Sequence, residues 1–246
     1  MIVDALVVLG ENRFSASLAP AAALHLCDEL GIDRIVAAPA RPPGYHLGPA
    51  NDRLAEAVAR SDSRLAGLGR VDPTDGERAV TEARRCLDEL GFVGLFLHPL
   101  EEACPVGRAV AVFEVARQRS APVVVATGFF AHSEPLQIAD VAAAFPEVQI
   151  VMTTGGQINI SGLAMTDAWL ALTSHSNLHV TTNGEYRQDF IERLVADLDP
   201  TRVLYASFAP YFDARFELRR IRSARMDDQA RIAVEGHNAT RIFRLD

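Results

Sequence analysis

Eight short aliphatic runs, at 3–8, 34–38, 65–71, 93–97, 122–127, 148–153, 178–182 and 203–207, recur along the chain with amphipathic stretches between them. In the first, Val3, Leu6, Val7, Val8 and Leu9 leave no polar face, as a strand covered on both sides in a parallel sheet requires. Asp4 interrupts that run, and a carboxylate there needs partners, either neighbouring backbone amides or a reacting group. Between the runs, stretches such as 75–90, 108–117 and 187–198 place Ala, Leu and Val at three- and four-residue spacing with Arg and Glu opposite, the pattern of outer helices. Strand and helix patterns that alternate in this way are repeated βα units, not separate layers. Eight of them predict a closed (β/α)8 TIM barrel of the α/β class. An open doubly wound sheet would use fewer strands and a Gly-rich first turn, which the sequence lacks. The 246 residues suit one barrel, and no Pro/Ser linker divides them, so 1–246 is expected to be a single domain.

Composition narrows the function classes. A net charge of -8 argues against a nucleic-acid backbone or an anionic membrane as the main partner, because both reward clustered cations. No apolar run reaches the roughly 18 residues of a membrane span. Residues 1–10 lead straight into a strand with no basic leader, so the expected location is cytoplasmic. Cys27, Cys86 and Cys104 are widely spaced without a CxxC pair, which suggests buried thiols and neither a disulfide framework nor a thiolate metal site. All 24 basic residues are Arg, which excludes Schiff-base, P-loop and metal-bridging lysines.

Barrel chemistry sits on the loops at the C-terminal ends of the strands. Those ends carry Leu6 and Val8, Arg70 and Asp72, Phe96 and His98, Ala126 and Thr127, Thr154, Asn183 and Glu185, and Ser207 and Phe208.

The segments MIVDALVVLG at 1–10, GFVGLFLHP at 91–99, PVVVATG at 122–128, PEVQIVMTTGGQ at 146–157, DPTRVLYASFAP at 199–210 and EGHNATRIF at 235–243 fall in order on those strand ends. Together they resemble the amidohydrolase-related family that includes aminocarboxymuconate decarboxylase and related hydrolases and decarboxylases. The resemblance spans nearly the whole chain and implies an amidohydrolase-type barrel. It also implies a divalent metal at the barrel mouth, held by an HxH pair on the first strand, a His on the fifth, a His on the sixth and an Asp on the eighth. At those positions the chain has Leu6 and Val8, Ala126, Thr154 and Phe208. Some members also carry a Lys on the fourth strand, where Phe96 stands here. Zinc-type ions need imidazole, thiolate or carboxylate donors, so no metal site and no cofactor are expected. The surrounding frame remains, in Asp4, Gly10, His98, Pro99, Thr127, Gly128, Gly155, Gly156, Ser207, Pro210 and Asn238.

The other candidates each have a functional and a structural reading. His98 is a general acid or base, a ligand for a carboxylate, or a structural histidine bonded to a loop. Arg70 with Asp72 clamps a substrate carboxylate or ties two loops together. Glu185 is catalytic or is a carboxylate stabilised at a helix start. Phe96, Thr127, Thr154 and Phe208 line a binding pocket, or the aromatic residues, with Phe129 and Phe130, plug the former site. Arg215, Arg219 and Arg222 fall four and three apart, so they form a basic helical stripe, either solvated and paired with Asp213 and Glu217 or facing an acidic subunit. Tyr45 and His46 lie in a Pro/Gly-rich loop suited to a lid or a dimer contact, and the sequon at Asn238 is a formal match only.

Three functions remain open on this reading. The leading one is a non-catalytic barrel paired, as a hetero- or homodimer, with a homologous amidohydrolase-family subunit that supplies the chemistry. A second is a repurposed metal-independent enzyme using His98, Arg70 and Glu185 on a small acid or natural-product intermediate. The third is a binder of a small apolar molecule behind Phe208 and Phe96.

Overall fold

The computed structural model describes residues 1–12, 16–44, 46–156, 163–185 and 187–245. Its order begins β1 (Val3–Glu11), β2 (Ser17–Leu18), α1 (Pro20–Leu30), β3 (Arg34–Pro39), α2 (Gly48–Ala59), β4 (Leu65–Arg70), α3 (Glu77–Asp88), β5 (Gly94–Leu97) and α4 (Val110–Arg119). It continues with β6 (Val123–Val125), α5 (Pro135–Ala144), β7 (Ile150–Met152), α6 (Leu163–Ser174), β8 (Leu178–Thr181), α7 (Gln188–Arg193), β9 (Val203–Leu204), α8 (Ala214–Ser223), α9 (Asp228–Ile232) and α10 (Asn238–Phe243).

Strands β1 and β3 to β9 run parallel in sequence order, and β2 adds an antiparallel edge to the end of β1. The sheet closes on itself where the segment after β9 bonds to β1. Ala5 N donates to Tyr205 O at 3.0 Å, Phe208 N to Leu6 O at 2.8 Å and Val8 N to Ala209 O at 2.8 Å. The result is a (β/α)8 barrel. All eight runs expected from the sequence are strands. The short β2 is an addition that two residues gave no periodicity to reveal.

Two apolar layers follow from the strand alternation. One lies between sheet and helices, with Val7, Leu97, Val125, Phe113 and Ile138 among its members. The other fills the barrel, with Val3, Ala5, Leu6, Val8, Val36, Leu68, Phe96, Val124, Val151 and Leu204. Ala5 and Leu6 are neighbours yet both join the inner layer, because the pairing of β1 with β3 shifts between Asp4 and Val7. This bulge resets the alternation and turns Leu6 and Val8 inward together. Asp4 at the seam is 2% exposed, and its Oδ1 accepts from Ser207 N at 2.8 Å and from Leu6 N at 3.3 Å. Of its two sequence readings, the backbone clasp is the one realised. Burial pushes its carboxyl up to about 7.

The barrel interior is also packed by the C-terminal segment. Ala239, Ile242, Phe243 and Leu245 join the inner layer, and Asn238 Nδ2 holds Pro200 O at 2.7 Å and Val203 O at 2.8 Å. The expected pairing of the basic stripe needs correction. Asp213 caps α8 through Phe216 N, and Glu217 is buried beside Arg220, whereas Arg215 reaches Glu29 on α1. Arg215, Arg219 and Arg222 are exposed, as is His46. Tyr45 lies outside the described residues.

Candidate functional site

The C-terminal ends of β3, β4 and β5 bring buried charges together. Arg70, the last residue of β4, is fully buried. Its Nε and Nη2 donate to Glu102 Oε1 at 2.8 and 2.6 Å, Nη2 also to Glu101 Oε2 at 2.6 Å, and Nη1 to the Pro39 carbonyl at 3.2 Å. Asn51 on α2 brackets the Arg70 backbone, accepting from its N–H at 3.0 Å and donating to its carbonyl at 2.9 Å. Arg41, just past β3, donates to Asp72 at 3.0 Å and stands 3.6 Å from Glu102. Thus Arg70 and Asp72 do not pair with each other, as the sequence reading allowed. Each takes its partner from a different loop.

His98 stands at the end of β5. Its backbone N–H donates to Glu102 Oε2 at 2.6 Å. The Glu101 N–H donates to His98 Nδ1 at 3.3 Å, which leaves the proton on Nε2, 3.8 Å from Glu101 Oε1. Burial, with the nearby Arg70 charge, pushes the imidazole down to about 4, so it is neutral at pH 7. Burial opposes ionisation of Glu101, but the Arg70 charge, with hydrogen bonds from Arg70 and Tyr211, holds its carboxyl below its ordinary value. Burial pushes Glu102 up to about 7, against the pull of Arg70 and Arg41. Tyr211 donates to Glu101 Oε1 at 3.0 Å, and Asn12 Nδ2 donates to Tyr211 Oη at 2.5 Å.

The ends of β6, β7 and β8 present neutral groups. Thr127 N–H donates to Thr153 Oγ1 at 3.0 Å, Thr154 Oγ1 to Thr153 Oγ1 at 3.3 Å, and Asn183 Nδ2 to Thr154 Oγ1 at 3.2 Å. Glu185 is 1% exposed and accepts from Arg187 N at 2.8 Å. It lies ahead of α7, not in its first turn. Gly155, at φ +60°, makes room for it, since a Cβ there would lie 2.5 Å from Glu185 Oε2. His98 and Arg70 therefore share one cluster, while Glu185 belongs to the opposite side of the mouth.

An aromatic group separates the two sides. Phe96 and Phe208 meet edge to face at 6.3 Å, Phe208 also contacts Tyr211 and Phe212, and His98 lies 5.0 Å from Phe129. Phe130 is the exception, 84% exposed on the rim. The five positions that the resemblance assigns to metal ligands are all buried here. Leu6, Val8, Ala126 and Phe208 belong to the inner apolar layer, and the Thr154 hydroxyl is engaged by Thr153 and Asn183. Thr154 and Phe208 have left-handed backbones, at φ 58° and 53°. Such conformations in non-glycine residues cluster at functional sites. The side chains present do not fit a divalent ion. Among the described residues, no group of three or more His, Cys, Asp or Glu could hold one.

Sequence reasoning missed Arg41, Glu101, Glu102, Tyr211 and Asn12. The adjacent acids after His98-Pro99, on a mouth loop near Arg70, were the available signal. Their pairing spans about thirty residues of sequence and depends on the barrel being closed.

The amidohydrolase family profile matches residues 15–245. The chain belongs to the amidohydrolase family. Within it, the chain is 23% identical over 249 residues to the gamma-resorcylate decarboxylase of Rhodococcus jostii (strain RHA1), covering 80% of this chain and 76% of that protein. A 49-residue stretch is 45% identical to the gamma-resorcylate decarboxylase of Polaromonas sp. (strain JS666 / ATCC BAA-500), covering 20% of this chain and 15% of that one. Among solved structures, the 2,6-dihydroxybenzoate decarboxylase from Rhizobium superposes with a TM-score of 0.79 at 16% identity, covering 100% of this chain and 99% of that one. The dihydroxybenzoic acid decarboxylase from Polaromonas sp. JS666, with bound manganese and the inhibitor 2-nitroresorcinol, superposes at 0.72 with 18% identity, covering 91% and 85%. At such identities these likenesses establish the amidohydrolase barrel alone. No helix among the described residues is long and apolar enough to cross a membrane.

Proposed function

We propose that this chain is a non-catalytic member of the amidohydrolase family that acts as the partner subunit of an active, metal-holding homologue. The observation that carries this reading is the filling of the metal locus. Leu6, Val8, Ala126, Thr154 and Phe208, at the five positions that the resemblance assigns to ligands, are buried, and Phe208 meets Phe96 edge to face at the mouth. The acids and bases beside it are largely engaged with one another, with Arg70 bound by Glu101, Glu102 and Pro39 O. The decarboxylases among the relatives suggest that the active partner removes carbon dioxide from a hydroxylated aromatic acid.

The experiment is co-expression with a homologue that retains its HxH pair, taken from a neighbouring gene. Size-exclusion chromatography with light scattering and an assay of 2,6-dihydroxybenzoate decarboxylation follow. The expected result is a mixed complex in which the partner is more active or more stable than alone. A chain that stays apart from every such homologue overturns the reading.

One observation favours a second reading, that of a metal-independent enzyme acting on a small acid. His98 is buried and neutral beside Phe129, with its Nε2 3.8 Å from Glu101 Oε1, and it becomes a general base if its Nδ1 gives up the Glu101 N–H. Decarboxylation or hydrolysis by the isolated chain in excess chelator, abolished by His98→Gln, would replace the first reading with this one. Loss of that activity in Glu185→Gln as well would bring both sides of the mouth into the reaction.

A further inference from the structure

An open apolar cavity lies away from Phe208 and Phe96. A cleft of about 550 Å³ lies outside the sheet, between α1 and α2, above the ends of β1 and β3. That volume is in the range of small-molecule sites. Its walls are aliphatic, formed by Leu9, Leu24, Leu54, Pro20 and Pro39, and alanines at 19, 21, 40, 50 and 57 leave the space open. Among the described residues, no aromatic side chain lines it. On α2, Ala50, Arg53 and Ala57 fall three and four residues apart on one helical face turned to the cleft, and Arg60 at the helix C-cap lines it as well. Arg60 is neutralised by Glu56 at 2.7 Å. Among the described residues Arg53 makes no ion pair, which leaves it as the cation midway along an otherwise apolar wall. The remaining charge, Glu11, stands at the far end of β1.

We infer that this cleft binds a medium-chain aliphatic carboxylic acid, with its hydrocarbon body against the Leu and Ala wall and its carboxylate on Arg53. A lining that is aliphatic among the described residues favours a flexible chain over a flat aromatic acid, because those side chains offer no face for stacking. A guanidinium that pairs with no described carboxylate favours a carboxylate head. The Pro39 carbonyl links the cleft wall to the mouth, since it accepts from Arg70 Nη1 at 3.2 Å. The inference does not depend on the partner-subunit reading.

The test uses the full-length chain and titrates octanoate, octanol and 2,6-dihydroxybenzoate by calorimetry, with amide shifts mapped by NMR. Octanoate is expected to bind saturably, to bind at least tenfold more tightly than either of the other two, and to shift amides on α1 and α2. Arg53→Gln should weaken octanoate at least tenfold while octanol is unchanged. Ala57→Trp should fill the cleft and abolish binding. No saturable octanoate binding, equal binding of octanol, tighter binding of the aromatic acid, or full octanoate affinity in a folded Ala57→Trp chain each overturns the inference. Should Ala57→Trp fail to fold, the amide shifts decide, because shifts confined to the barrel mouth or the surface overturn it.

Discussion

Arg70 shows how much one side chain can organise at the mouth. Its guanidinium is fully buried, and its partners Glu101 and Glu102 are 6% and 1% exposed. Removing one member of such a group leaves charge buried without compensation. Arg70→Met is therefore expected to cost about 3–5 kcal/mol, with part recovered in Arg70→Met/Glu102→Gln, as read by urea unfolding. Asp4 predicts a pH effect. Its folded value of about 7 lies above the ordinary 3.8, so folding favours the protonated form. The stability that it contributes is complete below pH 4 and is lost as pH rises from about 4 to about 7. Asp4→Asn, which keeps an acceptor for Ser207 N–H, should gain stability relative to wild type across that window, measured as unfolding free energy against pH. His98 runs the other way. Its pKa is lowered from 6.5 to about 4, so its neutral form contributes above 6.5 and that contribution fades as pH falls toward 4. Imidazole NMR should show titration near 4 and a proton on Nε2 above it.

At the scale of elements, the strands were legible because buried parallel strands are continuous aliphatic runs, and helices such as α3 because their apolar positions recur at 3.6 residues. The fit of one element on the next was not legible. Gly69 on β4 illustrates why, since a Cβ there would stand 2.5 Å from Cys86 Cβ on α3. Gly69→Ala must push α3 off the sheet, and a loss of about 1–3 kcal/mol is expected by chemical denaturation. Asn238 likewise joined a recognisable motif, but its work is to hold two carbonyls near β9 and seat α10 beneath the barrel. Asn238→Ala leaves those carbonyls without their donor, for an expected loss of about 1–3 kcal/mol in the same assay.

At the scale of the whole molecule, the purified protein is expected to retain no stoichiometric manganese or zinc after dialysis against either metal, as measured by elemental analysis. A combined variant with Leu6→His, Val8→His, Ala126→His, Thr154→His and Phe208→Asp should acquire measurable metal affinity if it folds, because the bulge in β1 already turns residues 6 and 8 inward. Folded protein without uptake would count against the correspondence of those positions. For assembly, Arg219 and Arg222 are the exposed members of the stripe that make no ion pair among the described residues, whereas Arg215 is paired with Glu29. Arg219→Glu/Arg222→Glu is expected to slow association with an acidic partner surface and steepen its response to salt, with no change in the melting of the isolated chain.

The order and number of βα units and the outer helices were determined by the sequence alone, and the five replaced ligand positions were visible only through the family resemblance. The units and helices are local facts, set by residue type and by spacing within one strand or helix. Tertiary structure decided which charges meet. Arg70 draws its carboxylates from the loop after the next strand, and Asp72 draws Arg41 from the loop before, because barrel closure sets distant residues side by side. It also decided that the Phe208 ring meets Phe96 edge to face, that the C-terminal segment fills the barrel from below, and that an open apolar space lies between α1 and α2. Side-chain volume can be read from a sequence, but the space left over depends on how far apart packed elements stand, and that distance is fixed only once every layer is in place.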